Sequence, residues 1–285
     1  MSSPNLLPES LAPEIASYAI SPTPGPTATS SAIEQSQAAH RIRVLNAWTN
    51  QPIRPGARVL ELGCGQGTCT QVLGYAVGST GHIDAVDPAP ADYGSPFTLG
   101  EAQTHLLLGP LGGRIAFHCA DPVGFLTSNP EARWDVAVLA HCIWYFASAE
   151  ALADILRALR GRVGTVCVAE YALRASEPAA VPHVLAALAA TGGSDSEANI
   201  RSPLSPIAIK AVAARAGWKG QGEGMVVPDA ALSDGFWEAA AVVADDEERV
   251  GMAAAARDAT VAAVELVGGV KNVRTMDVWV ATLVE

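Results

Sequence analysis

The sequence predicts an α/β fold: a doubly wound, mostly parallel seven-stranded sheet with helices on both faces. Three observations carry that expectation. Several short segments, 134–140 the clearest, are apolar at nearly every position, as strands buried on both sides must be. They alternate with longer segments in which apolar residues recur every three or four positions, the period of a helix with one buried face. A glycine-rich turn at 63–67 joins the first strand to the first helix of that alternation, and strands that alternate with helices pair in parallel.

The elements follow in order. Residues 1 to about 31 are rich in Pro, Ser and Thr, most of all at 21–26, and are expected to hold no regular structure. They form a flexible or lid-forming arm, with Ile15, Tyr18 and Ile20 apolar enough to dock. From residue 32 a single domain runs to 285. It opens with an amphipathic helix carrying Ile33, Ala38, Ile42, Leu45 and Trp48, which ends before Pro52. Strands are expected at 57–62, 83–87, 114–120, 134–140 and 163–169, and helices at 68–77, 98–108 and 148–159. Thr98 with Glu101 three places on forms a capping box. After about 178 come insertions expected to cover the substrate. Helices are read at 181–190 and 206–216, a strand at 218–227, an Ala-rich pair of helices within 234–267, and a last strand at 273–284. The Ala-rich pair is a candidate homodimer face, and the acidic run 245–248 reads as a solvated helix start.

Composition removes several function classes. Lys and Arg number 18 against 29 Asp and Glu, a net charge of −11, so nucleic acid and anionic membrane are not expected partners. No apolar run approaches the 18 or so residues of a membrane span. The five cysteines include no Cys-x-x-Cys pair, which argues against a structural zinc site or a disulfide framework. Residues 1–10 carry neither a basic residue nor an apolar run, unlike a secretory signal, so a cytoplasmic protein with reduced thiols is expected.

The informative segment is Val59-Leu60-Glu61-Leu62-Gly63-Cys64-Gly65-Gln66-Gly67-Thr68. A strand runs through an acidic residue into three glycines at alternate positions, and then into a helix. Such glycines let a ligand touch bare backbone, and the following helix offers free N–H groups to a negative group. Glu61 would repel a diphosphate and suits a ligand that carries a cationic amine. Asp87 closes the second strand 20 residues after Gly67, where a carboxylate can accept both hydroxyls of a ribose.

This segment, with the strand that ends at Asp87, resembles the class I S-adenosylmethionine-dependent methyltransferases. It is less similar to the dinucleotide fingerprint, because the third glycine comes one residue early. The resemblance covers residues 40 to 170 well and the rest loosely. It implies a Rossmann-like sheet and S-adenosylmethionine as cofactor. It places the methionine part on Gly63, Cys64, Gly65 and Gly67, the amine near Glu61, and the ribose on Asp87 beside Pro88. Ala120 and Asp121, after the third strand, match the position that reads the adenine. His141, closing the fourth strand, would line the space between cofactor and acceptor. Trp144 and Tyr145, followed by Phe146, would form an aromatic wall. Residues 92–99 resemble nothing general in the family and are read as a subfamily feature that shapes the loop after strand two. No Asn-Pro-Pro-Tyr motif and no catechol-type metal carboxylate set is present, which favours a small organic acceptor. The overall character is similar to methyltransferase-like proteins of microbial or fungal secondary metabolism.

Methyl transfer requires the nucleophile to be held about 3 Å from an activated methyl group in a dry pocket. A hydroxyl acceptor also needs a base. His141 and His183 are the candidate catalytic residues, and His40 is within possible reach of the cofactor from the first helix. His82, His105 and His118 are read as structural or exposed. Trp144, Tyr145 and Glu170 are candidate substrate contacts, and Cys64 is read as a small side chain under the cofactor. The expected reaction is methyl transfer to O, N or S of a small molecule. The alternatives are a cyclase or isomerase that uses the bound cofactor without consuming it, a nicotinamide-dependent reductase, and a non-catalytic cofactor-binding protein.

Overall fold

The computed structural model describes residues 6–20, 28–190, 200–245 and 251–285. The stretch expected to be irregular at 21–26 and the acidic residues 246–248 lie outside the described residues.

Seven strands form one sheet in the order β3-β2-β1-β4-β5-β7-β6. They are β1 (Arg58–Leu62), β2 (His82–Asp87), β3 (Ile115–Cys119), β4 (Trp134–Ala140), β5 (Val163–Tyr171), β6 (Lys219–Val226) and β7 (Val278–Val284). The first five pair in parallel, while β7 runs antiparallel to both β5 and β6. Ten helices surround the sheet among the described residues: α1 (Ala12–Ala16), α2 (Ala28–Ala47), α3 (Thr68–Val77), α4 (Leu99–Leu108), α5 (Pro122–Ser128), α6 (Ala149–Leu159), α7 (Val181–Ala189), α8 (Pro206–Arg215), α9 (Asp234–Ala244) and α10 (Met252–Leu266). No helix among the described residues is long and apolar enough to cross a membrane.

The central strands are apolar on both faces because each face has its own core. On one side Ile15, Ile42, Leu45, Val72 and Leu73 of α1, α2 and α3 pack on Val59, Ile83 and Val138. On the other, Leu126, Leu152, Leu156 and Val212 of α5, α6 and α8 pack on Leu60, Val86, Leu139 and Val166. β7 is buried along nearly its whole length, as a strand held between two others must be.

The structure corrects three local expectations. Residues 12–16 are helical and docked, with Ile15 fully buried, although this region was expected to lack regular structure. Leu7 and Asn46 exchange two hydrogen bonds (2.9 and 2.8 Å), and Arg43 pairs with Glu9 at 2.8 Å, so the segment before α1 lies along α2. α5 was not among the expected helices, although Asp121 supplies its cap and Pro122 its first turn. The last strand begins at Val278 rather than 273. The N–H groups of Arg274 and Asp277 donate to Ala179 O and Arg174 O, which commits that stretch to the loop after β5 instead of the sheet.

Candidate active site

After Leu62 the chain turns through Gly63, Gly65 and Gly67, all at positive φ (76°, 52° and 92°). A Cβ on Gly63 would stand 2.4 Å from Cys142 Cβ, and one on Gly67 would stand 2.5 Å from Leu106 Cδ1. A Cβ on Gly65 would meet nothing within 4 Å. The outer glycines are therefore demanded by neighbouring elements, whereas the middle one leaves bare backbone facing open space, where a ligand can approach. α3 starts at Thr68 with Gly67 as its cap, and its first turn, whose N–H groups have no side-chain cap, borders the cavity. Residues on two sides fix the loop. Gln66 Nε2 donates to Phe97 O (2.6 Å), and Gln103 Nε2 donates to Gly65 O (2.8 Å). Residues 95–97 are thereby tied into the wall of the site.

Asp87 stands at the edge of this crevice. Its Oδ2 accepts from Gly65 N (2.8 Å) and its Oδ1 from Ala89 N (2.9 Å), while Ala120 N donates to Asp87 O (3.0 Å). The residues expected to hold ribose and adenine are thus brought together at the ends of β2 and β3. Pro88 is exposed beside them. Asp121 is exposed as well, but its Oδ1 caps α5 by accepting from Gly124 N (2.9 Å).

Glu61 lies beneath the loop at 2% exposure, with Thr70 Oγ1 donating to its Oε2 at 2.6 Å. Burial raises its pKa to about 7 against the partial opposition of Thr70, Cys69 and Arg41. A carboxylate in that state gains most from a cationic neighbour. The thiol of Cys64 is buried too, and burial pushes it far up, so it is no thiolate nucleophile.

A cavity of about 710 Å³ opens beside the glycine loop, walled by α2, α3, α4, α9 and the ends of β4 and β5. His141 lines it with φ at 54°, an unusual conformation for a side chain larger than glycine. Its Nε2 is 3.1 Å from Nε2 of His40, so one ring donates to the other, and the ring packs 4.6 Å from Tyr171. Both imidazoles are held well below their ordinary pKa, chiefly by burial and then by Arg41, so the pair is uncharged at neutral pH. Tyr145, 48% exposed, also lines the cavity.

Three sequence candidates are not brought to the cavity. His183 lies behind Tyr171, where its Nδ1 accepts from Met276 N (3.0 Å). Glu170 turns back on its own chain, accepting from Ile143 N (2.9 Å) and Tyr171 N (3.0 Å). Trp144 is buried, and its Nε1 donates to Leu204 O (3.1 Å). The strand ends were read correctly, but the directions of these side chains are set by packing partners far away in sequence.

The structure adds residues that the sequence reading missed. Arg41 lines the cavity, and its Nε and Nη1 are buried without a partner. Gln71, only 1% exposed, lines it with both amide atoms unpaired. Glu34, Gln37 and Arg41 form one stripe of α2, and Asp234 and Glu238 are one turn apart on α9. The only signal in the sequence was helical spacing, which a solvated face shows equally. Unpaired buried polar groups are costly in a folded chain, which makes those that line the cavity candidates for ligand contacts.

Comparison with known proteins agrees with this geometry. Residues 33–220 match a family model described as "Methyltransferase domain". Methyltransferases phomM and phomM' of Diaporthe leptostromiformis are 30% and 29% identical, with 95% of this chain aligned to 80% of each. The cyclopropane-fatty-acyl-phospholipid synthase-like protein of Lactobacillus casei superposes with a TM-score of 0.84 at 30% identity, over 98% of this chain and all of that one. Magnesium protoporphyrin IX methyltransferase of Synechocystis, solved with bound S-adenosylhomocysteine, shares the fold (TM-score 0.50, 14% identity, 92% and 89% of the two chains).

Proposed function

Because the chain belongs to the methyltransferase domain family and is a class I S-adenosylmethionine-dependent methyltransferase, we propose that it binds S-adenosylmethionine over Gly63–Gly67 and methylates an oxygen, nitrogen or sulfur of a small organic molecule held in the adjoining cavity.

One observation carries the reading. Bare backbone at Gly65 and the carboxylates of Glu61 and Asp87 stand where β1 and β2 end, and the unpaired guanidinium nitrogens of Arg41 border the adjoining cavity. These groups fit an amino-acid nucleoside. Glu61 suits its amine, Arg41 and the start of α3 its carboxylate, Asp87 its ribose, and Ala120 with Asp121 its adenine. When bound, the sulfonium supplies a methyl group activated for displacement. The protein's work is then positional. Tyr145, Tyr171 and Phe97 exclude water from the acceptor, and His141 borders the reacting space. Being uncharged, the His40–His141 pair can accept a hydrogen bond from a hydroxyl or thiol acceptor and orient it. His183 takes no part, because Tyr171 separates it from the cavity.

Calorimetric titration of S-adenosylmethionine and S-adenosylhomocysteine into wild type and Asp87→Ala tests the reading. Micromolar binding is expected, weakened at least tenfold (about 1.4 kcal/mol) by the substitution. No binding by wild type would end the proposal, and equal affinities would remove Asp87 from the ribose.

A further inference from the structure

The cavity holds charges of both signs. Arg41 lines it, and its charge bears on Glu61, Glu170, Tyr145 and Tyr171. The far wall, formed by α2 and α9 away from the glycine loop, carries three carboxylates: Glu34 on α2, and Asp234 and Glu238 on α9. Asp234 is already engaged. Gln37 Nε2 donates to its Oδ1 (2.8 Å) and the Tyr171 hydroxyl donates to its Oδ2 (2.6 Å). Glu34 and Glu238 have no hydrogen-bond or ionic partner among the described residues. Burial raises the pKa of Glu34, and burial together with Asp234 raises that of Glu238. Both carboxyls therefore lack a counter-charge among the described residues.

A second feature points to a ligand in the same space. The amide of Gln71 is almost wholly buried, lines the cavity, and has neither its oxygen nor its nitrogen satisfied. The aromatic rings of Tyr145 and Trp237, 48% and 60% exposed, also border this space. An acceptor carrying a carboxylate or phosphate would be repelled by the far wall, and a neutral alcohol or thiol would leave Glu34 and Glu238 unpaired. A cation answers both carboxylates and also attracts aromatic faces.

Resting on the methyl-transfer reading of this site, we infer that the acceptor is a primary or secondary amine, bound as its ammonium between Glu34 and Glu238 with an apolar body against Tyr145 and Trp237. The ammonium passes a proton to one of these carboxylates and becomes a neutral amine. The nitrogen lone pair then forms the new N–CH3 bond while the C–S bond breaks and its electron pair stays on sulfur. The product leaves as a methylated ammonium, and the protonated carboxyl returns its proton to water.

The test titrates matched probes, 2-phenylethylamine and 2-phenylethanol, into protein saturated with S-adenosylhomocysteine. The amine is expected to bind at least tenfold tighter. Glu34→Gln and Glu238→Gln should each weaken the amine about tenfold, leave the alcohol unmoved, and leave the affinity for S-adenosylhomocysteine unchanged. Thermal melts of both variants confirm that they are folded. In parallel, mass spectrometry of each probe incubated with S-adenosylmethionine and enzyme should find the methyl group on nitrogen. The inference is overturned if the amine binds no better than the alcohol, if both variants bind it as wild type does, or if only the alcohol is methylated. Failure to bind S-adenosylhomocysteine would instead sink the methyl-transfer reading. The same amine and alcohol titrations on the free protein would then still decide whether the far wall prefers a cation.

Discussion

Replacing Glu61 with Gln should make the free protein more stable and its cofactor binding worse. Glutamine keeps the size of the side chain and an oxygen that can accept from Thr70 Oγ1, now 2.6 Å from Glu61. What it removes is a buried negative charge. The carboxyl titrates at about 7 in the folded chain against 4.5 ordinarily, a gap of about 2.5 pH units. At roughly 1.4 kcal/mol per unit, ionising it inside the fold costs at most about 3.5 kcal/mol. The sign follows from the folded pKa lying above the unfolded one. The contribution to stability is complete below pH 4.5, declines as the pH rises, and is gone above 7. Thermal melts at pH 5, 6.5 and 8 should therefore show Glu61→Gln gaining on wild type as the pH rises. At about 2–4 °C per kcal/mol for a chain of this size, the gap at pH 8 should reach several degrees. The affinity for S-adenosylmethionine should fall at least tenfold in the same variant. A melting gap that does not widen with pH would refute the burial argument. Unchanged affinity would remove Glu61 from the amine.

Other perturbations act on separate parts of the fold. Gly63→Ala forces a Cβ within 2.4 Å of Cys142 Cβ at a φ of 76°. It should cost about 2–4 kcal/mol, from left-handed strain and overpacking together, and an unchanged melting temperature would contradict that. His183 titrates at about 4, because burial disfavours its charge against the partial opposition of Asp234. The stability it lends is full above pH 6.5 and is lost as the pH falls through 4, so its ring resonances in an NMR titration should stay in the neutral form down to about pH 5. A midpoint near 6.5 would mean that the ring is accessible. Thr98→Ala removes one arm of the capping box with Glu101 and should cost about 1 kcal/mol in chemical denaturation. A loss below a few tenths would show that α4 is held by packing alone.

Much of this architecture was legible because it rests on local rules. The helix at 68–77 and the strand at 134–140 coincide with α3 and β4, since glycine ends the one and two-sided apolarity defines the other. The glycine turn was legible for the same reason: Glu61 and Asp87 lie in two adjacent strands, the glycines follow the first of them directly, and that spacing fixes their neighbourhood. The acceptor side was not. Its walls come from α2 and α9, and whether Glu34 faces water or a cavity depends on where α9 docks. Glu170 and Trp144 failed as substrate contacts in the same way. Their backbone positions were right, but the carboxylate turned to satisfy Ile143 N and the indole to reach Leu204 O.

The hydrogen bond from Gln37 to Asp234 joins residues 197 positions apart, and Asp234 in turn holds Tyr171. Any attempt to graft a new selectivity by exchanging the second half of this chain with that of a relative would cut this clasp, because its other half travels with the first forty residues. Chimeras that move α2 and α9 as one module should keep a formed chamber, while those that split them should lose it even where both parents are active.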